Sequence, residues 1–343
     1  LLHNRPIVRP TDDSICRVLG EGPAVLRRAR GYAPLPFPLE GAKPGIAAFG
    51  SHLKGSVAVS GEGKIVVGQH VGDLDNHLAR LRLEEEIRDL SAIQESEVAL
   101  AVHDLHPDYA STMTAQGMGV ETKGVQHHLA HALSLMAEHE IMGPMLAVVW
   151  DGTGLGLDGT IWGGEFILVE GPQAQRVGHL RPFLLPGGDS ASRQGWRSAL
   201  GLLHEMGVQS TSISHPRADQ VKSLLAKGTG CTKTTSAGRL FDAAAALGAG
   251  ILESRFEGDA AMSWECLASQ EGVAPYPISV LKGSMTVLDW APAISAVIDD
   301  PDPVSLKSAR FHAALASGIA EVAAKVGVQS VGLTGGCFQN QLL

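Results

Sequence analysis

Met145-Leu146-Ala147-Val148-Val149-Trp150 runs without a break into Asp151-Gly152-Thr153-Gly154-Leu155-Gly156-Leu157-Asp158-Gly159-Thr160. The apolar run, closed by a turn signal, reads as a buried strand. The glycines at 152, 154, 156 and 159 read as a tight turn, with Ile161-Trp162-Gly163-Gly164-Glu165-Phe166-Ile167-Leu168-Val169 returning as a hairpin limb. Such a turn lets backbone N–H groups approach a phosphate, and an acid at its start can hold a phosphate-bound metal. An ordinary glycine-rich hairpin is the alternative. The order is not Walker A, because no Gly-Lys-Ser/Thr follows, and not a Rossmann fingerprint, because a strand rather than a helix follows.

The same plan occurs earlier. Ile46-Ala47-Ala48-Phe49 leads into a Gly50 turn, and Ser56-Val57-Ala58-Val59 and Ile65-Val66-Val67 flank Gly61-Glu62-Gly63 as a hairpin. Helical stretches follow at about 74–91 and 128–141. Near the end, Phe311, Leu315, Ile319 and Val322 recur at helical spacing within 308–326, and Ser330-Val331-Gly332-Leu333-Thr334 reads as a strand entering Gly335-Gly336. Two rounds of strand, turn, hairpin and helices predict a duplicated, two-lobed α/β protein.

Composition agrees. The 343 residues are 44% hydrophobic and 18% charged, enough to bury a large core, while 41 glycines against 5% aromatics favour α/β junctions over an aromatic-rich sandwich. A net charge of −9 argues against a general nucleic-acid groove or an anionic membrane surface. No apolar run is long enough to span a membrane. The four cysteines, Cys16, Cys231, Cys266 and Cys337, are scattered without a C-x-x-C pair, so a reducing cytoplasm is expected. The first 40 residues are arginine-rich and end in Pro34-Leu35-Pro36-Phe37-Pro38. They read either as a domain edge with a stiff linker or as an extension wrapped on the main domain. Both ends of the chain read as the interior of a longer polypeptide.

Several constellations could carry chemistry. His127 and His131, four apart, share one face of a helix and could share one divalent cation. With 14 histidines, roughly 0.5 such pairs arise by chance, so the spacing alone does not choose between a metal site and a satisfied pair. Asp151, at a strand end where ligands gather in open α/β sheets, could complete a His-His-Asp set. Ser236-Ala237-Gly238-Arg239-Leu240-Phe241-Asp242 and Gly335-Gly336 with Asn340 place glycine where a helix begins. That is a place for an anion or nucleotide, or plain capping. Asp242 could accept from ribose hydroxyls. Lys54 could neutralise a phosphate or simply be solvated. His103-Asp104-Leu105-His106-Pro107-Asp108 looks metal-like, but Pro107 breaks its alignment and turn chemistry is favoured. Gly187-Gly188-Asp189 with Arg193 to Arg197 suggests an ordered loop near an anionic group. No nucleophile–base arrangement can be named.

The plan resembles the sugar-kinase/Hsp70/actin-like (ASKHA) ATP-binding fold, and individual motifs are closer still. Gly68-Gln69-His70-Val71-Gly72-Asp73-Leu74, His106-Pro107-Asp108-Tyr109-Ala110-Ser111-Thr112, Val125-Gln126-His127-His128-Leu129-Ala130-His131, Trp162-Gly163-Gly164-Glu165-Phe166, the 236–242 segment and Ser254-Arg255-Phe256-Glu257-Gly258 resemble the HypF family of carbamoyltransferases. His3-Asn4-Arg5-Pro6-Ile7 with Asp12-Asp13-Ser14 resembles the end of that family's YrdC-like domain.

The resemblance implies residues 1–38 as the tail of a YrdC-like domain and linker, and 39–343 as a Kae1-like domain with lobes at about 39–144 and 145–343. It implies carbamoyl phosphate and ATP as substrates, carbamoyl-adenylate as intermediate, and transfer to the C-terminal cysteine of HypE. The product serves cyanide ligand synthesis in hydrogenase maturation. It implies His127, His131 and Asp151 as ligands of a divalent metal, with iron or zinc foremost. Lys54, Gly152, Thr153, Gly154, Gly156, Gly238, Asp242, Gly335, Gly336 and Asn340 are implied nucleotide contacts, with Lys54 as a charge stabiliser. The family's last metal ligand, an Asp in an Asn-Asp-Gly-Gly segment, is expected beyond Leu343, so weakened metal affinity and activity are expected of this chain alone. Rival readings are an O-carbamoyltransferase of the same fold acting on a small molecule, and a nucleotide-binding scaffold without chemistry. A role in tRNA modification fits the negative charge poorly.

Overall fold

The computed structural model of the chain describes residues 4–19, 22–208, 213–269 and 272–343; His3 lies outside the described residues. Two compact units divide between Gln126 and His127, ahead of the lobe boundary expected near residue 144.

In the first unit β1 (Ile15–Leu19) and β2 (Gly22–Arg27) pair with each other. Then come β3 (Pro36–Pro38), β4 (Ile46–Phe49), β5 (Val57–Gly61), β6 (Lys64–Val67), α1 (His77–Ile93), β7 (Leu100–Asp104), α2 (Ala110–Gln116) and β8 (Glu121–Val125). The six-stranded sheet runs β3-β6-β5-β4-β7-β8. The hairpin and the helix expected in this half are β5–β6 and α1. The proline stretch joins the sheet: Pro36–Pro38 pairs with β6 as an edge strand, the place in a sheet where a residue without an N–H is tolerated. Upstream residues are tied to the same unit. Arg28 donates through Nη2 to Tyr32 O at 2.7 Å and Leu35 O at 2.9 Å, and Gln69 Nε2 donates to Pro10 O at 3.1 Å.

The second unit begins with α3 (His127–Glu138) and continues with β9 (Met145–Trp150), β10 (Gly164–Glu170), β11 (Gln173–Leu180) and β12 (Phe183–Pro186). α4 (Gly195–Glu205), α5 (Ala218–Lys227), β13 (Cys231–Thr234), α6 (Ala237–Ala249) and α7 (Asp259–Leu267) follow. The chain closes with β14 (Ser279–Leu281), β15 (Thr286–Asp289), α8 (Ala291–Asp299), α9 (Val304–Val326), β16 (Ser330–Thr334) and a 3-10 turn at Gly336–Gln339. The main sheet runs β14-β15-β11-β10-β9-β16.

The duplication is visible in strand pairing. β4 is antiparallel to β5, β5 to β6, and β4 is parallel to β7. β9 is antiparallel to β10, β10 to β11, and β9 is parallel to β16. The hairpin joins the antiparallel strands, and the parallel fourth strand in each unit returns through helices, as a parallel pair requires.

β9 explains the unbroken apolar run. A strand covered on both faces has no polar positions, and all six β9 residues are buried. Leu146, Val148 and Trp150 face a core with Phe166, Trp196, Phe241, Trp290 and Phe311. Met145, Ala147 and Val149 face a smaller cluster containing Ala132 of α3, with Leu135 and Met136 packed against it. Each large apolar side chain so buried contributes ~1.5–3 kcal/mol against entropy of similar size. α9 buries Phe311, Leu315, Ile319 and Val322, the stripe its periodicity predicts. Among the described residues no helix is long and apolar enough to cross a membrane.

Candidate metal and nucleotide site

α3 lies on the sheet face carrying Met145, Ala147 and Val149. His128 and Ala132, one turn apart, are its fully buried residues. His127 and His131 occupy the neighbouring stripe, so fixing the helix on the sheet also aims them. Their rings stand edge to face, with centroids 5.0 Å apart. β9 ends at Trp150 beside the start of α3, and Asp151 is the next residue. His127 Nε2 donates to Asp151 Oδ2 at 3.2 Å, and His131 Nε2 lies 3.4 Å from the same oxygen.

Asp151 Oδ1 also accepts from the N–H of Gly152 at 2.7 Å. Burial pushes the Asp151 carboxyl up, but hydrogen bonds from the two histidines, with their charge, outweigh it and hold the group well below the usual carboxylate range. An ionised carboxylate and two imidazoles form a borderline donor set suited to zinc or iron. One ligand atom from each of the three lies within 4.8 Å of the others, and among the described residues this trio is the group of His, Cys, Asp or Glu that could hold an ion. The residues present therefore fit a divalent metal.

Two further segments meet at Asp151–Gly152. The N–H of Gly238 donates to Asp151 O at 3.1 Å, and Ser236 Oγ donates to Gly152 O at 2.7 Å, seating the start of α6 on the strand end. Ser236 caps that helix, accepting from Arg239 N at 3.1 Å. Gly335 has φ +100°, and a Cβ there would collide with Trp150 O, so the turn after β16 requires glycine. At Gly336 a Cβ would stand 3.3 Å from Asp151 Oδ1. In the glycine loop, a Cβ at Gly154 would collide with His128 and stand 3.1 Å from His127 Cδ2. Close packing against the histidine rings thus accounts for this glycine whether or not the loop holds phosphate.

Of the sequence-predicted residues, His127, His131, Asp151, Gly152, Gly154, Gly238 and Gly336 converge here. Thr153 is exposed and Gly156 buried on the same loop. Asp242 is buried one helical turn further along α6, with Oδ2 2.8 Å from Arg239 Nε. Burial raises its carboxyl, partly opposed by Arg239. Asn340 is bonded through Nδ2 to His312 Nε2 at 2.9 Å. Lys54 belongs to the first unit, exposed at a turn, with φ +53° and its N–H donating to Asp73 Oδ1 at 2.9 Å.

The 103–108 segment makes local turn bonds: Asp104 Oδ1 accepts from His106 N at 2.9 Å, and His106 stacks on Tyr109. Near Gly187, Arg197 is buried, stacked on Trp196, and its Nε donates to Gln194 Oε1.

Sequence reasoning assigned no role to Glu165, which proves central. Its fully buried carboxylate accepts from Gly163 N at 3.2 Å, Gly164 N at 3.3 Å, Arg176 Nε at 2.6 Å and the Thr235 hydroxyl. Gly163 O in turn accepts from Asp151 N at 2.7 Å and Ala237 N at 3.0 Å. Glu165 thus locks the hairpin to the strand end and to α6. An acid directly ahead of the apolar run Phe166–Val169 was the available signal. His312, in the middle of α9, carried none.

Residues 147–343 match the family model described as "Carbamoyltransferase, Kae1-like Domain, second subdomain", and residues 41–138 that described as "HypF Kae1-like domain". The chain is 37% identical to a carbamoyltransferase HypF of Synechocystis sp., over 99% of this chain and 48% of that protein. It is 36% identical to one from Rhizobium leguminosarum bv. viciae, over 99% of this chain and 46% of that protein. The chain therefore spans about half the length of these curated relatives. A solved structure of full-length HypF in a phosphate- and nucleotide-bound form superposes with a TM-score of 0.90 at 30% identity, covering 99% of this chain and 56% of that one.

Proposed function

This chain belongs to the HypF carbamoyltransferase family, and from that premise we propose that it passes a carbamoyl group from carbamoyl-adenylate to the C-terminal cysteine of HypE. The adenylate would arise from carbamoyl phosphate and ATP, and the thiocarbamate would feed cyanide synthesis for nickel–iron hydrogenases in the cytoplasm. The observation that supports this most is the meeting of His127, His131 and Asp151 beside the Gly152–Gly154 backbone.

His127, His131 and Asp151 would hold a divalent iron or zinc ion. Such an ion, when bound, supplies Lewis-acid polarisation of an oxygen it touches. The glycine loop, with Gly238, Asp242, Gly335, Gly336 and Asn340, would position the nucleotide, its backbone N–H groups facing the phosphate. The part given to Lys54, phosphate neutralisation, rests on the family resemblance alone.

In the transfer the cysteine thiolate attacks the carbamoyl carbon and a C–S bond forms. The bond from that carbon to the phosphate oxygen breaks, and AMP departs with the electron pair. The thiol proton goes to solvent, because a thiol needs little assistance near neutral pH. Fixed donors aimed at the leaving phosphate lower the barrier without reorganising.

The test titrates zinc or ferrous ion into wild type, His131→Ala and Asp151→Asn, then follows HypE by mass spectrometry with ATP and carbamoyl phosphate in the full-length protein. Metal binding lost in both variants together with the carbamoyl mass on the HypE cysteine is the expected result. Equal metal binding in all three proteins, or modification that survives both substitutions, overturns the proposal.

A further inference from the structure

Arg239 stands in the first turn of α6, the helix whose start is seated on Asp151–Gly152. Its side chain is 8% exposed. A Cβ placed on Gly152 would stand 3.9 Å from Arg239 Nη2, so one guanidinium nitrogen lies beside the beginning of the glycine loop. It pairs with Asp242 in an unusual way. Nε and Oδ2 are 2.8 Å apart, yet both are buried and neither has an aligned hydrogen bond among the described residues.

A buried arginine–carboxylate pair normally holds together through two parallel, aligned bonds. Without them the desolvation of both charges is poorly offset. A pair that only anchors a helix would gain from turning the fork toward the carboxylate. This guanidinium instead keeps an Nη nitrogen toward Gly152.

We propose that Arg239 binds a phosphate of the nucleotide lying over the glycine loop, with Asp242 as the anchor that holds the guanidinium there. The proposal rests on the nucleotide reading above and adds a residue to it. Its chemistry is complementary to the site. Asp151 puts a negative charge beside the loop, which repels phosphate, and a fixed arginine offsets it. As the carbamoyl–oxygen bond breaks, negative charge grows on the departing phosphate oxygen, and a cation already in place stabilises it. Arg239 acts here as a hydrogen-bond donor and transfers no proton.

The experiment measures ADP and adenosine binding by calorimetry to the 343-residue chain as wild type, Arg239→Lys, Arg239→Gln and the double variant Arg239→Gln/Asp242→Asn. The ratio of the ADP and adenosine dissociation constants isolates the phosphate contribution. It is expected to shift by about tenfold or more in Arg239→Gln, the size of one charge-assisted hydrogen bond, and by less in Arg239→Lys. The double variant removes both charges together and so carries the test where the single variant fails to fold. A ratio in the double variant equal to that of wild type overturns the proposal and leaves Arg239 as a partner for Asp242 alone. Wild type binding ADP no better than adenosine defeats the nucleotide reading itself, and this proposal with it.

Discussion

Asn340 Nδ2 lies 2.9 Å from Nε2 of His312, a residue buried in the middle of α9. The His312 Nδ1 donates to Ser308 O at 2.7 Å, which leaves Nε2 as acceptor and makes the Asn340 amide the donor. Asn340 Oδ1 then accepts from Leu342 N at 2.9 Å. A histidine in the core thereby sets which way an amide points in the Gly335–Asn340 turn.

That bond needs a neutral imidazole. Burial pushes the His312 pKa down, against a smaller upward pull from its bond to Ser308 O. The unfolded chain takes up this proton near pH 6.5 while the folded chain resists it. Stability from this residue is therefore full above about pH 6.5 and falls as the pH drops below that value. Urea unfolding at pH 7.5 and 5.5 should show a smaller loss on acidification in His312→Gln than in wild type. Equal losses in the two proteins would falsify the assignment.

Gly154→Ala puts a methyl into the His128 ring and within 3.1 Å of His127 Cδ2. Overpacking of this kind costs ~1–3 kcal/mol, and relief requires the histidine rings to move. The variant should lose both thermal stability and metal affinity, whereas Gly159→Ala, where no atom stands within 4 Å of the added methyl, should keep its metal affinity despite the strain of φ +74°. Calorimetric titration with zinc distinguishes the two. Undiminished affinity in Gly154→Ala would show that His127 need not hold its observed place.

Glu165 is a buried charge bound to Arg176, two backbone N–H groups and a hydroxyl. Glu165→Ala leaves Arg176 with one fewer partner and frees the hairpin from α6, a loss of ~3–5 kcal/mol. Glu165→Gln keeps the shape and some of the bonds and should lose less. Denaturant midpoints give both numbers. A loss below ~1 kcal/mol in Glu165→Ala would mean that the network is not coupled to folding.

A metal held by the native site alone stabilises by mass action. At a free concentration one hundred times its dissociation constant the gain is ~2.7 kcal/mol. Thermal unfolding of wild type should shift upward with added zinc and return with chelator. Asp151→Asn should show neither shift. A zinc-dependent gain of the same size in Asp151→Asn would place the ion elsewhere.

Much of the fold was legible because it depends on local patterning. The unbroken 145–150 run predicts a strand covered on both faces, and the 311, 315, 319, 322 stripe predicts the buried side of α9; both were found. The proline stretch left a stiff linker and an extension wrapped on the main domain both open, and its pairing with β6 depends on a partner strand that no local signal names. At the site, the i, i+4 spacing of His127 and His131 placed both on one helical face. Strand-end geometry nominated Asp151. Nothing local could bring Arg239 near Gly152, or join Asn340 to a histidine of α9.

Periodicity and turn chemistry in the chain itself determined the duplicated α/β plan, the helix bearing two histidines and the glycine loop opening with an acid, because those signals arise between near neighbours along one element. Tertiary packing alone decided that α3 turns His128 and Ala132 inward, so that His127 and His131 reach Asp151. It also decided that Glu165, Ser236 and Gly336 close around the same strand end. Those outcomes depend on how two faces fit across the sheet, a constraint that no stretch of sequence carries alone.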